Sequence, residues 1–253
     1  MKSFQGESKL LKPPSRTWLV LSILLLAAGL GFLARFGWQQ YGYVKSSRYY
    51  QNLQQTAFSD GASGTASGSR IDFAALQSIN GDVAAWLEMP GLGISLPVVQ
   101  GQDNQTYLTT GFDGQPSPEG CLFFGVDHGG DEGLYRVIYG HHMHTGTMFG
   151  NLTHYRQESF YQQNPTFTLC TPEGDQTWQI FSCHEATDTE ELYRTDYTKG
   201  AEYNAFVQEL QEASLYDTGV EVPQDSPVLT LSTCATSYGA GLDRFVVHAC
   251  PVS

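Results

Sequence analysis

Basic residues are scarce in this chain. Thirteen Lys and Arg stand against 26 Asp and Glu, giving a formal net charge of -13. A nucleic-acid partner calls for a basic face, so this balance argues against one. Cysteine is limited to Cys121, Cys170, Cys183, Cys234 and Cys250, and no two of them form a CxxC pair. A zinc ribbon or a thioredoxin-type redox pair is therefore not expected. No acidic cluster has the spacing of an EF-hand loop, which argues against calcium dependence. There is no internal repeat, and only one long apolar run.

That run covers residues 18–34, is broken only by Ser22, Gly29 and Gly31, and is extended to 17–34 by Thr17. It is about long enough to cross a bilayer as a helix. Lys2, Lys9, Lys12 and Arg16 precede it, against the single acid Glu7. This asymmetry favours a cytoplasmic N-terminus and a C-terminal portion outside the cell. A cleaved signal peptide is the alternative. The stretch is long for one, no small-x-small cleavage site follows it, and Arg35, Phe36 and Trp38 read as an interfacial boundary. The expected layout is a basic cytoplasmic segment over 1–16 and a transmembrane anchor over 17–34. A juxtamembrane segment and linker occupy 35–69, and an extracellular domain occupies 70–253. Within the linker, the Gly/Ser/Ala tract 59–69 cannot bury a core. The outer portion is more acidic than the whole chain, which by itself implies little beyond solubility.

From residue 91 onward, short apolar runs alternate with Gly, Pro, Asp and Asn. They cover 94–100, 121–124, 134–139, 166–170 and 178–184. Such runs predict short strands in a barrel or sandwich. Asp72 is expected to cap a short helix through Leu76, and Asn80 or Asp82 another through Leu87. Phe206, Val207 and Leu210 recur at helical spacing, so residues 203–213 read as an amphipathic helix. Two further strands, 228–233 and 244–249, follow it. The roughly 180 residues from Arg70 suffice for one sizeable core.

Three of these segments end on residues with chemistry. Cys234 follows Val228-Leu229-Thr230-Leu231-Ser232-Thr233, and Arg244 opens the next strand ten residues later. Far upstream, His141 follows Val137-Ile138-Tyr139-Gly140. A thiol, an imidazole and a guanidinium suit attack on a carbonyl. The thiol is the nucleophile, the imidazole moves protons, and the fixed cation steadies an oxyanion. Each residue has a plainer reading. Strand cysteines are usually small buried hydrophobes, and that reading is kept for the other four. A strand-end Arg is more often a surface residue. His142 and His144 would share one strand face and could hold a metal with a third ligand. No Cys or acid stands at familiar ligand spacing from them, so no metal or other cofactor is expected. Ala235 and Thr236 offer no carboxylate after Cys234, so no acid is assigned to orient His141.

Together, in this order, the pieces resemble the sortases, the Cys-dependent transpeptidases of Gram-positive cell surfaces. Thr230-Leu231-Ser232-Thr233-Cys234 with Arg244 is most similar to class B. The resemblance covers roughly 71–249 and takes in Ile71-Asp72-Phe73, Trp86-Leu87, Leu96-Pro97-Val98-Val99-Gln100, Tyr107-Leu108 and Gly120-Cys121-Leu122-Phe123. It implies a mainly β fold, a closed barrel with N-terminal helices and one more helix before the catalytic strand. It selects His141, directly after Gly140, over His142, where many class B members carry Asn. It also places Ser232 and Thr233 near substrate.

The function so implied is a membrane-anchored cysteine transpeptidase. It would cleave a C-terminal sorting motif after Thr and pass the acyl group from a Cys234 thioester to an amine. The partners implied are surface proteins bearing that motif and a cell-wall precursor amine of the lipid II type. A class B pilus-polymerising sortase, using a pilin Lys as acceptor, is the alternative. A plain papain-like protease fits less well, because there Cys precedes His in the chain. A non-catalytic metal-binding surface module is the remaining rival.

Overall fold

The computed structural model describes residues 16–58, 68–126, 133–187, 192–234 and 243–252. The basic segment before Arg16, most of the Gly/Ser/Ala tract and His128 lie outside them. The chain divides into two compact units, residues 1–44 and 45–253. In the first, helix α1 (Arg16–Ala57) begins. Its window Arg16–Gly37 has a mean hydropathy of 2.2 and no buried residue, and it is long enough to cross a membrane.

In the second unit the last turns of α1 belong to the core. Tyr50, Leu53 and Ala57 are buried there. The Tyr50 hydroxyl donates to the Gly120 carbonyl at 3.0 Å, and Gln54 donates to the Ser95 carbonyl at 2.9 Å. The core thus reaches upstream of Arg70, where the sequence placed its start. Asp72 caps α2 (Phe73–Ile79), accepting from the Ala75 N–H at 2.9 Å.

The helix expected after Asn80 or Asp82 is instead strand β1 (Val83–Met89). It pairs antiparallel with β2 (Ile94–Gln100) on one side and with β5 (Thr166–Thr171) on the other. Asn80 closes α2, its N–H bonding the Leu76 carbonyl, and its side chain accepts from the Asp82 N–H at 2.9 Å. Two ladders outweigh the local helix preference of Ala84-Ala85-Trp86-Leu87.

Next come α3 (Thr106–Thr109), β3 (Leu122–Phe124) and β4 (Tyr135–Tyr139). After these follow α4 (Glu158–Gln163), β5 and the long β6 (Gly174–Thr187). Helix α5 (Ala201–Glu212) precedes β7 (Val228–Cys234) and β8 (Asp243–Pro251). Among the described residues the strands close a barrel in the order β1-β2-β3-β4-β7-β8-β6-β5. β2·β3 and β4·β7 are parallel pairs and the rest antiparallel.

Alternation along β7 and β8 assigns their two faces. Leu229, Leu231, Phe245, Val247 and Ala249 join the main core. Val228, Val246 and Cys250 join a second cluster with Tyr135, Val137 and the α5 residues Tyr203, Phe206, Val207 and Leu210. The helical spacing in α5 therefore buries one stripe against the outside of the barrel.

Candidate active site

The ends of β4, β7 and β8 meet at one rim. The parallel β4–β7 ladder runs from Tyr135 opposite Val228 to Tyr139 opposite Ser232. The Gly140 N–H extends it, donating to the Ser232 carbonyl at 3.1 Å. His141 stands two residues past Tyr139, and Cys234 stands two past Ser232. The register thus carries both to the same level of neighbouring strands. β8 returns antiparallel, with Arg244 the direct partner of Cys234. The ten-residue separation of Cys and Arg is therefore that of two paired strand ends. The Cys234 side chain and the loop 235–242 lie outside the described residues.

Local packing explains why glycine precedes His141. A Cβ on Gly140 would lie 2.5 Å from Leu122 Cδ2 and 2.6 Å from Phe149 Cδ2. His141 Nε2 lies 2.7 Å from the Leu108 carbonyl oxygen. A carbonyl only accepts, so Nε2 carries the hydrogen, and Nδ1 is left as the nitrogen able to take a proton. Leu108 is itself held from behind by Gly120, whose φ is 61°. A Cβ there would lie 2.3 Å from the Tyr107 oxygen and 2.9 Å from the Leu108 oxygen. The loop after His141 folds back on it, with the Met143 and Phe149 N–H groups donating to the His141 carbonyl at 3.1 and 3.0 Å. His142 forms an isolated bridge with Met148 and is half-buried, while His144 is exposed. Among the described residues no group of three His, Cys, Asp or Glu is arranged to hold a metal.

Arg244 is half-buried between β6 and β7, paired with Ala186 on one side and Cys234 on the other. Ser232 and Thr233 are both buried. The Ser232 hydroxyl lies 2.9 Å from the Tyr193 hydroxyl. Among the described residues Thr233 Oγ1 is buried without a hydrogen-bond partner. The Tyr193 ring sits 5.5 Å from that of Tyr139, which stacks on Phe123 at 5.3 Å. An aromatic wall therefore flanks the rim beside Ser232. The sequence marks Leu108 only as part of the family resemblance, with no role given to it, and Tyr193 does not stand out. Leu108 acts through its backbone carbonyl, which no side-chain pattern marks, and Tyr193 comes from an irregular segment.

The other cysteines are free and buried. Burial pushes the Cys121 and Cys170 thiols up to about 12 and Cys183 to about 11, and it raises Cys250. All four stay protonated at neutral pH and are poor nucleophiles. Two further histidines are also sequestered. His248 and His184 stack 5.1 Å apart, and burial lowers both below the ordinary imidazole range. A chain runs from His248 Nδ1 to Thr230 Oγ1 (2.8 Å), to the Tyr135 hydroxyl (3.0 Å), to the Leu192 carbonyl (2.9 Å). The terminal carbonyl sets its direction, so each group donates forward and His248 carries its hydrogen on Nδ1.

Comparison with known proteins agrees with this fold. The family model described as Sortase domain matches residues 87–252. Sortase B of Staphylococcus aureus is 30% identical over 187 residues, covering 71% of this chain and 74% of that protein. Sortase B of Listeria monocytogenes is 26% identical over 251 residues, covering 98% and 97%. The solved Staphylococcus aureus sortase B–substrate complex superposes with a TM-score of 0.72 at 28% identity, covering 83% of this chain and 97% of that one.

Proposed function

The chain belongs to the sortase family, class B, a family of cysteine transpeptidases, and from that premise we propose that it is a membrane-anchored enzyme acting on C-terminal sorting motifs outside the cell. The observation that carries the reading is the meeting of the β4, β7 and β8 ends, with Cys234 opposite Arg244 and the His141 strand beside them. Cys234 thiolate attacks the carbonyl carbon of the motif's Thr, and the oxyanion is steadied by Arg244. Collapse expels the amine of the following residue, which takes a proton from His141. The thioester then meets an acceptor amine, which gives a proton to His141 as it attacks, and the Cys234 thiolate leaves. The Nε2–H to Leu108 hydrogen bond supports Nδ1 as the nitrogen that exchanges protons. Ser232 and Thr233 contribute to the substrate side of the rim. The acceptor is an amine of a cell-wall precursor, and the apolar helix keeps the enzyme beside lipid-linked precursors with its N-terminus in the cytoplasm.

The test uses the full-length chain in detergent with a library of sorting-motif peptides and an amine acceptor, the products being identified by mass. Wild type should yield peptide joined to amine after cleavage at Thr. Cys234→Ala should yield none, because it removes the thiolate on which the attack depends. His141→Ala should lower turnover by roughly a hundred- to ten-thousand-fold, while His142→Asn stays active. Turnover by Cys234→Ala, or an active His141→Ala beside a dead His142→Asn, would overturn these assignments.

A further inference from the structure

Among the described residues the fold buries one acid, Glu119, at 1% exposure. Burying a carboxyl group is costly unless it is hydrogen-bonded. Here both oxygens accept from hydroxyls, Oε1 from Thr147 Oγ1 at 3.1 Å and Oε2 from Ser46 Oγ. Neither donor is a neighbour in sequence. Ser46 lies in α1, and Thr147 lies in the loop that begins at His141. That loop is already closed on itself, by the Phe149 N–H to the His141 carbonyl at 3.0 Å and the Gly150 N–H to the Thr147 carbonyl at 2.9 Å. A shift of Thr147 is therefore passed to the histidine.

The residue after Glu119 controls the other side of the imidazole. Gly120 lies against the backbone of Tyr107 and Leu108, and its carbonyl accepts from Tyr50 of α1 at 3.0 Å. Leu108 in turn supplies the oxygen that accepts from His141 Nε2. One buried carboxyl thus ties together the loop that carries the histidine, the segment behind its acceptor, and α1.

We propose that Glu119 is a positioning residue for His141, linking the 45–57 stretch of α1 to the loop that carries the imidazole. It touches no reacting atom and acts by keeping the Nε2–H aimed at Leu108, which leaves Nδ1 free for the proton. This inference rests on the proposed transpeptidation, in which His141 exchanges that proton.

The experiment uses the full-length chain in detergent and the variants Glu119→Ala, Glu119→Gln and Thr147→Val. Thr147→Val replaces a hydroxyl with a methyl group of similar size at a half-buried loop site, losing the bond to Glu119 and an exposed one to Thr145, so it serves if Glu119→Ala does not fold. Three readouts are taken: kcat and KM on a fluorogenic sorting peptide, the melting temperature, and long-range 1H–15N spectra of the histidine rings with His141 assigned by its replacement. Glu119→Ala and Thr147→Val should lower kcat about ten- to a hundredfold through misplacement of the base. KM should move by less than about twofold. Glu119→Gln, which keeps one acceptor oxygen and the shape, should restore most of the rate. The His141 spectrum should lose its Nε2–H pattern in the two damaged variants and keep it in Glu119→Gln. A purely structural role would lower the melting temperature and leave kcat and the His141 spectrum of the folded protein unchanged, and that result overturns the proposal. If wild type turns over no peptide, the proposed function fails, and the His141 spectra still decide whether Glu119 positions the ring.

Discussion

Arg244 tests whether charge or geometry matters at the rim. Its place opposite Cys234 depends on strand pairing, and its guanidinium offers a planar fork of donors that a lysine lacks. Arg244→Lys should therefore recover little of what Arg244→Ala loses. Removing such a donor typically costs about 2.7–4 kcal/mol in the transition state. Steady-state kinetics on a sorting peptide, with circular dichroism as the folding control, checks this. Near-normal kcat/KM in Arg244→Ala would remove Arg244 from the chemistry. Cys234, His141 and Arg244 are proposed from the sequence because each closes or opens an apolar strand, each has a side chain suited to acyl transfer, and the family resemblance singles out His141. The roles of Leu108 and Glu119 were not legible. One works through its carbonyl, and the other looks like any loop acid until burial gives it two hydroxyl partners from distant segments.

At the scale of elements, the close fit behind His141 is the most sensitive feature. Gly140→Ala would push a methyl group into Leu122 and Phe149, both fully buried. Overpacking of this kind costs about 1–3 kcal/mol, and here the backbone that must yield leads into His141. The variant should melt earlier and lose turnover beyond the loss expected from unfolding at the assay temperature. Thermal melts and kinetics on the same sample check it, and full activity with an unchanged melting point would count against the packing account. The strands β2, β5, β7 and β8 followed from apolar runs and turn residues, and α5 from its spacing. β1 did not, because Ala84 to Leu87 favour helix locally. Only the partners β2 and β5, brought up from both sides, make that segment a strand.

For the whole molecule, the buried histidine pair sets a pH dependence. Burial lowers the folded-state values of His248 and His184, so below about pH 6.5 the unfolded chain binds protons that the folded chain refuses. Stability should therefore be flat above that pH and fall as pH drops through it. The slope should be at most about 1.4 kcal/mol per pH unit for each histidine. Urea unfolding of the unit spanning residues 45–253 within the full chain, from pH 7.5 to 5, measures this, and His248→Gln should flatten the slope. An unchanged slope would mean that His248 takes up its proton as readily in the fold as in the unfolded chain. The sequence alone determined the apolar N-terminal helix and the mainly β character, and it supplied the three residues proposed for the rim. The helix and the β character rest on local periodicity, and the three residues on side-chain chemistry together with the family resemblance. Barrel closure, the parallel pairing of β4 with β7, the upstream reach of the core into α1 and the carbonyl that aims His141 were decided only by tertiary structure. Each depends on groups far apart in the chain, and no local pattern records which distant backbone or hydroxyl will satisfy a buried polar atom.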